Sequence, residues 1–494
     1  MMKNCYFICL FSLCVACTET DTATLSTPKQ DTPEKNQAAN IDNQLRKLIR
    51  QYGLTGDPAK NIKTPAINSA KAQLGKKLFF SRALSGDLNV ACASCHHPLL
   101  GGGDNLSLSI GVNSRDSHTL GIGRRHKGSL QPDIARNAPT TFNIALWRTH
   151  LFHDGRVQKV SDGGITTPDV PYPQSDPLAG SDLVQAQARF PLTSNSEMRG
   201  QTFDSKGSTQ SCREKLAERL GGYGSQTKQF SSTATLHWLN EFRKAFNAPD
   251  GLPNTLITEQ NISAALSAYQ RSMVFTDNRW KSYIEGNNTA ISNTAKKGAL
   301  LFYRQKNQQG YGCVNCHSGD FFSNEQFYHT LIPPVGPGKV DHNGRLISNR
   351  DPGRSLVTGE SNDRFKFRVP SLLNVEVTGP WGHNGAYTTL AGIVRHMINP
   401  YESALNYDPQ QLLQSSVQTT KMRKNIGEML ACDVDITGKT YTENEVQALV
   451  AFLLTLTDPC VKERDCLSPW IADSNDMDPM KLLLIGRDEK GKKL

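Results

Sequence analysis

Cys92-Ala93-Ser94-Cys95-His96 and Cys313-Val314-Asn315-Cys316-His317 are two copies of one pattern, and their reading decides the fold. Cys-x-x-Cys-His suits covalent attachment of c-type haem: the two thiols add to the haem vinyls, and the adjacent His supplies an axial iron ligand. Zinc is the rival, since a cysteine pair is half of a tetrahedral site. A zinc site, however, finds its second ligand pair roughly 12–20 residues away. Here the pairs lie 221 residues apart and each carries its own His. Two covalently bound haem c groups are the expectation.

Outward from the motifs the pattern is helix and loop. Residues 66–80 and 291–302 carry apolar residues at helical spacing and each run into a motif. Residues 257–275 and 443–456 are further helices, the last closed by Thr457-Asp458-Pro459. Long Gly/Pro/Ser/Asn segments (98–139, 157–182, 331–351) separate them, as expected where loops wrap a cofactor. The duplicated unit, Leu74 to His96 and Gly298 to His317, predicts a mainly α protein of two cytochrome-c-like haem domains with long loops. Expected boundaries are 46–285 for the N-terminal haem domain, 286–470 for the C-terminal one and 471–494 for a tail.

The start of the chain reads as an export signal over 1–17, with Lys3 followed by an apolar run too short to span a membrane. Cys17 after Val15-Ala16 is placed like the acylated cysteine of a bacterial lipoprotein, an ordinary cleaved signal being the alternative. Either implies the periplasm, the first with a lipid anchor in the outer membrane. Residues 18–45 are polar and Thr/Pro-rich, which predicts a flexible linker. Of 12 cysteines, Cys212, Cys432, Cys460 and Cys466 remain after the signal region and the motifs. They are enough for two disulfides, Cys460–Cys466 being the easier pair. The net charge of +9 comes without a run of five like charges, so no nucleic-acid partner is expected.

Several ordered blocks resemble the bacterial di-haem cytochrome c peroxidase family, including its MauG-type members. They are Arg136-Asn137-Ala138-Pro139-Thr140, Phe152-His153-Asp154-Gly155-Arg156, Gln187…Pro191…Glu197-Met198, Pro352-Gly353-Arg354, Val369-Pro370-Ser371-Leu372 and Thr378-Gly379-Pro380-Trp381-Gly382-His383-Asn384-Gly385 leading to Met397. The resemblance implies that hydrogen peroxide is reduced at the N-terminal haem, held by Cys92, Cys95 and His96. Electrons would pass through the C-terminal haem, held by Cys313, Cys316 and His317 with Met397 as second axial ligand; His396 is the alternative to Met397. It implies Glu197 as distal acid/base with a carboxyl pKa raised by burial, and Gln187 and Pro191 as further distal residues. Asn137, Thr378 and Pro380 would hold a Ca²⁺. The donor would be a small periplasmic cytochrome c or cupredoxin, and the assembly a homodimer.

Two departures matter. The distal His of many members would fall on Val112, sixteen residues after His96, which leaves the iron without a second protein ligand unless His118 or His126 reaches back. The bridging Trp is replaced by His153, with Trp147 and Trp381 as substitutes or core residues. The alternatives to a peroxidase are a MauG-like oxidant of aromatic residues on a partner protein and a non-catalytic electron carrier.

Overall fold

The computed structural model describes residues 33–128, 132–339, 350–474, 476, 478 and 480–494. The expected signal and residues 18–32 of the linker lie outside the described residues. With 42% helix and 5% strand the chain is mainly α. Among the described residues no helix is long and apolar enough to cross a membrane.

Helix α1 (Pro33–Gln51) is followed by α2 (Ala70–Phe80), α3 (Leu183–Ala188), α4 (Thr209–Gly221), α5 (Ser232–Phe246), α6 (Pro253–Leu256) and α7 (Glu259–Arg271). The second half holds α8 (Arg279–Ile284), α9 (Asn293–Tyr303), α10 (Ser355–Thr358), α11 (Leu390–Ile398), α12 (Pro400–Leu405), α13 (Met422–Leu430), α14 (Glu443–Leu453) and α15 (Arg464–Leu467). Two small antiparallel sheets decorate the join: β1 (His150–Leu151), β2 (Val157–Lys159) and β3 (Ile165–Thr166), then β4 (Phe327–Tyr328) with β5 (Phe367–Arg368). Leu151 lies opposite Val157, and Phe327 opposite Arg368.

The duplication read from the sequence is built in side-chain detail. Helices α2 and α9 each begin on a serine cap, Ser69 accepting from Ala72 N and Ser292 from Ala295 N. Each carries a glycine six residues after its cap, and each glycine lets a second helix approach at backbone distance. A Cβ on Gly75 would stand 2.0 Å from the Ala265 carbonyl oxygen of α7; one on Gly298 would stand 1.8 Å from that of Ala448 on α14. Aromatic residues one turn later close both crossings: Phe79 packs on Tyr269 at 4.9 Å between ring centroids, and Phe302 on Phe452 at 5.2 Å. The helix that runs into a haem motif is thus locked by one crossing partner in each domain.

The domain boundaries differ from the expected ones at both ends of the chain. Helix α1 covers 33–45 of the expected linker, and Ile41, Leu45, Leu48 and Ile49 are buried with α9 and α14 in the C-terminal core. Asp42 fixes it there, paired with Lys296 at 2.8 Å and accepting from the Tyr283 hydroxyl at 2.6 Å. The polar composition that suggested a tether is the solvent face of an amphipathic helix. At the other end, Val461, Leu467, Ile471, Ala472 and Leu484 belong to the N-terminal core, so the expected tail is a packed strap that begins before residue 471. Trp470 anchors it, donating to Ser272 Oγ at 3.0 Å and accepting from the Tyr269 hydroxyl at 2.6 Å. Trp280 and Tyr283 of α8 already sit in the C-terminal core, ahead of the expected boundary at 286. Each terminus therefore crosses to the opposite domain.

Cys460 and Cys466 form a disulfide at the root of the strap. The second pairing is not made: Cys212 is buried in the N-terminal core, and Cys432 packs against a separate C-terminal cluster.

Candidate active site

Both motifs lie on single 3₁₀ turns, Cys92–Ser94 and Cys313–Asn315, which follow from the Cys-x-x-Cys spacing. Ala93 and Val314, one intervening residue of each motif, are buried in the domain cores, with Cys92 and Cys313 packed against those cores. His96 donates from Nδ1 to the Gly102 carbonyl at 3.2 Å. His317 directs its Nδ1 to the carbonyls of Phe322 and Pro370 at 3.0 and 3.1 Å. A carbonyl accepts only from N–H, so in both rings Nδ1 carries the proton and Nε2 offers its lone pair. That is the tautomer an axial iron ligand needs.

Haem fits these loops better than zinc. Among the described residues no group of three or more His, Cys, Asp or Glu side chains is placed to hold a metal ion. Two buried polar atoms beside the domain join, His383 Nδ1 and Asn384 Oδ1, have no partner in the polypeptide, as expected where part of the polar environment is a bound group.

Around the first motif, Val112 is buried, 6% exposed, and its N–H donates to the Ser196 carbonyl at 3.3 Å. Gly111 lies so close that a Cβ there would stand 2.0 Å from Ser196 O and 2.5 Å from Glu197 O. The Gly111-Val112 segment therefore rests directly on the backbone of Ser196 and Glu197. Glu197 itself sits in a π-turn, Asn195–Arg199, a distortion that often marks functional positions. The turn is held from below, where Gly86 N and Ser85 Oγ donate to the Met198 carbonyl at 2.7 and 3.0 Å. Glu197 is half-buried, and its carboxylate is near enough to add to the upward pressure on the Cys95 thiol. Gln187 ends α3 and Pro191 opens the 3₁₀ turn that leads to it; both are half-buried.

The two histidines of the 113–135 insertion differ in how far their ring nitrogens are engaged. His126 has both ring nitrogens engaged, Nε2 with Asp133 at 2.8 Å and Nδ1 with the Lys127 carbonyl at 3.1 Å. His118 turns its Nδ1 to the backbone of Ile485 in the C-terminal strap.

Around the second motif the two ligand candidates separate. His396 is fully buried with both nitrogens spent: Nε2 donates to the Thr330 carbonyl and Nδ1 accepts from the Tyr387 hydroxyl, each at 2.8 Å. Met397, next to it on α11, is half-buried. His383 stacks flat on Phe367, with ring centroids 3.6 Å apart.

Between the domains, His153 lies in the β1–β2 turn and donates from Nε2 to the Asn137 carbonyl at 3.0 Å. Burial, reinforced by Arg136, pushes its pKa down to about 4, so it is a neutral imidazole. Asn137 donates from its backbone to the His383 carbonyl at 2.9 Å and from Nδ2 to that of Leu106 at 2.8 Å. Thr378 lies near the first loop, its Cα 3.4 Å from where a Cβ on Gly101 would stand, and Pro380 follows a cis peptide bond. Trp147 packs edge-on against Phe321 at 4.8 Å and lies under the Arg368 guanidinium, 3.3 Å from its ring centroid. Trp381 donates to the Val375 carbonyl within the C-terminal core.

Some residues were given no role by the sequence reading. Arg136 bridges Asp154 and Asp351, all three buried, and so ties the domains together. Asp104 is buried near Cys95, and burial raises its pKa to about 6. Arg124 is fully buried beside the same loop.

The family model for di-haem cytochrome c peroxidase matches residues 69–289. The cytochrome c551 peroxidase of Nitrosomonas europaea is 27% identical over 347 residues, 69% of this chain and 77% of that protein. The methylamine utilization protein MauG of Methylorubrum extorquens is 27% identical over 356 residues, 72% and 74% of the two chains. A solved MauG-like protein associated with microbial copper homeostasis is similar in fold, with a TM-score of 0.51 at 20% identity, covering 85% of this chain and 97% of its own.

Proposed function

Since the chain belongs to the di-haem cytochrome c peroxidase family, we propose that it reduces hydrogen peroxide to water at the N-terminal haem, with electrons relayed through the C-terminal haem. The observation that carries this reading is the seating of Gly111-Val112 on the Glu197 backbone. It brings the segment holding Val112, which cannot ligate iron and falls where the resemblance expects a distal His, against the backbone of Glu197.

The haems, when bound, supply the redox centres for cleavage of the peroxide O–O bond and for storage of an electron. His96 and His317 would hold the haem irons through Nε2, the nitrogen left unprotonated by the Nδ1 hydrogen bonds. Glu197 takes a proton from one peroxide oxygen and returns it to the other, the part a carboxylate at an open face can play. Met397 offers a thioether as second ligand to the C-terminal iron, and the engagement of both His396 nitrogens supports Met397 over its neighbour. A His/Met haem leaves no position for peroxide and has a raised potential, which suits a relay. Gln187 and Pro191 flank the distal side, and Asn137, Thr378 and Pro380 hold Ca²⁺ at the domain join. The protein acts in the periplasm, anchored through a lipid on Cys17, and takes electrons from a small cytochrome c or cupredoxin.

The alternative, oxidation of aromatic residues on a partner protein, is less well supported. It calls for holes to pass between the haems. His153 is a poorer hole carrier than indole, and the Arg368 cation over Trp147 makes removal of an electron from that ring costlier. An EPR spectrum of the oxidised holoprotein, paired with stopped-flow mixing of the diferric form with one equivalent of peroxide, tests the reading. A high-spin signal beside a low-spin one and a rapid spectral change are expected. Two low-spin signals and no change would sink it.

A further inference from the structure

We propose that Arg124, carried by the 113–135 insertion, is the positioning residue that holds the distal loop of the N-terminal haem open and seats it on Glu197, and that the C-terminal strap holds Arg124's loop in place. The proposal rests on the reading of Glu197 and the open face given above.

Arg124 has no exposed surface, and its planar fork is spent on backbone carbonyls. Nε donates to Ile110 O at 2.7 Å, Nη2 to Gly111 O at 3.3 Å, and Nη1 to Asp116 O and Thr119 O, both at 3.2 Å. Burying a guanidinium without a carboxylate in direct contact is costly unless each donor finds an acceptor. Two of the carbonyls it collects, those of Ile110 and Gly111, belong to the segment that stands in for the distal ligand, and the other two, of Asp116 and Thr119, tie that segment to the insertion. The same segment is gripped from its other side, where Asn89 Nδ2 donates to Val112 O at 2.7 Å and Val112 N donates to Ser196 O at 3.3 Å. Force applied at Arg124 is thus passed through Ile110 and Gly111 to Ser196-Glu197, along contacts with no slack: Gly111 has no room for even a methyl group.

The strap completes the clamp. Arg487 accepts from Leu120 N at 2.9 Å and donates to His118 O at 2.8 Å, on either side of the Thr119 carbonyl that Arg124 uses. His118 closes on Ile485 through its ring. Residues 118–120 are therefore fixed to residues 485–487, which pack over the N-terminal domain although they follow the C-terminal haem motif in sequence. The fork of one buried arginine thus removes this loop's freedom to move.

The test uses the holoprotein with Arg124→Met, Arg124→Lys and removal of 486–494. Three readouts are taken: the rate of the diferric protein with hydrogen peroxide, the high-spin EPR signal of the N-terminal haem, and hydrogen–deuterium exchange of peptides covering 109–119. Both substitutions should slow the peroxide reaction at least tenfold, alter the high-spin signal and speed exchange in 109–119, while the low-spin signal of the C-terminal haem stays unchanged. The truncation should shift the same readouts in the same direction by a smaller factor. A lysine keeps the charge and loses the fork, so full recovery in Arg124→Lys would overturn positioning in favour of charge alone. An Arg124→Met protein with a rate within twofold of the parent and unaltered exchange would also overturn it. Should Arg124→Met not fold, the truncation decides, and an unchanged rate and unchanged exchange there would refute the clamp. If the parent protein itself ignores peroxide, the functional reading fails, and the exchange data still judge the loop.

Discussion

Replacing Gly75 or Gly298 with alanine tests the duplicated helix crossing. In an exposed helix interior the change would stabilise, because glycine costs about 1 kcal/mol relative to alanine. Here the added carbon would stand 2.0 Å from Ala265 O or 1.8 Å from Ala448 O. An ordinary C···O contact needs roughly 3.3 Å, so the paired helices must separate by roughly 1.3–1.5 Å. Both obstacles are backbone atoms in mid-helix, which cannot rotate aside, so the cost lies at the top of the overpacking range, about 3 kcal/mol. Net of propensity, each variant should lose about 2 kcal/mol, or about 4–8 °C in Tm for a domain of this size. Gly427 in α13 supplies the opposite case: a Cβ there meets nothing within 4 Å, so Gly427→Ala should gain up to about 1 kcal/mol. Thermal unfolding of the holoproteins by far-UV circular dichroism measures all three. A Gly75→Ala or Gly298→Ala protein as stable as the parent would refute the close crossing, and with it the structural equivalence of the two domains.

Glu197→Gln should slow the peroxide reaction by about 10²–10⁴-fold, read by stopped flow with the C-terminal haem spectrum as control. Met397→His should lower the potential of the C-terminal haem, seen in a spectroelectrochemical titration, while Met397→Leu should turn its low-spin signal high-spin. Asp351→Asn should cost about 3–5 kcal/mol at neutral pH, because it leaves Arg136 short of a buried partner. Burial alone would raise the Asp154 and Asp351 pKa values, but Arg136 holds both well below the usual carboxylate range. Groups with a depressed folded pKa stabilise above their unfolded value, about 3.9, and lose that contribution as pH falls through the folded one. The gap between parent and Asp351→Asn in urea unfolding should therefore be constant above about pH 5 and shrink below about pH 4. A gap that persists unchanged at pH 2 would argue against the ionised bridge.

What the sequence made legible was local. The two motifs, the helices before them and the capped α7 and α14 follow from spacings within a dozen or so residues, and the structure has each of them. The Cys460–Cys466 bridge was legible for the same reason. Helix α1 was misread because its apolar residues, Ile41, Leu45, Leu48 and Ile49, are a thin stripe in a polar stretch, and their partner surface on α9 is some 250 residues away. The strap was misread because Leu467, Ile471 and Leu484 share no period at all; only the N-terminal core they fill gives them order. Arg124 had no signal because its partners are main-chain carbonyls, which every residue possesses.

These misreadings share a cause with a consequence for the chemistry. Two haem domains joined by one connection would be expected to move relative to one another. In this chain the first helix is built into the second domain and the last segment into the first, and Arg136 fastens Asp154 to Asp351 across the join. On the proposed reading, an open N-terminal site would need no domain movement before it meets peroxide; it would need the electron source kept at a constant distance. Crossed termini supply that constancy by covalent continuity, because neither domain can swing away without pulling the other's core apart. The same crossing places residues that follow the C-terminal haem, Ile485 and Arg487, against His118 and Leu120 beside the N-terminal one. Loosening the strap should therefore disturb the N-terminal haem site before the C-terminal one, the reverse of what its position in the sequence suggests.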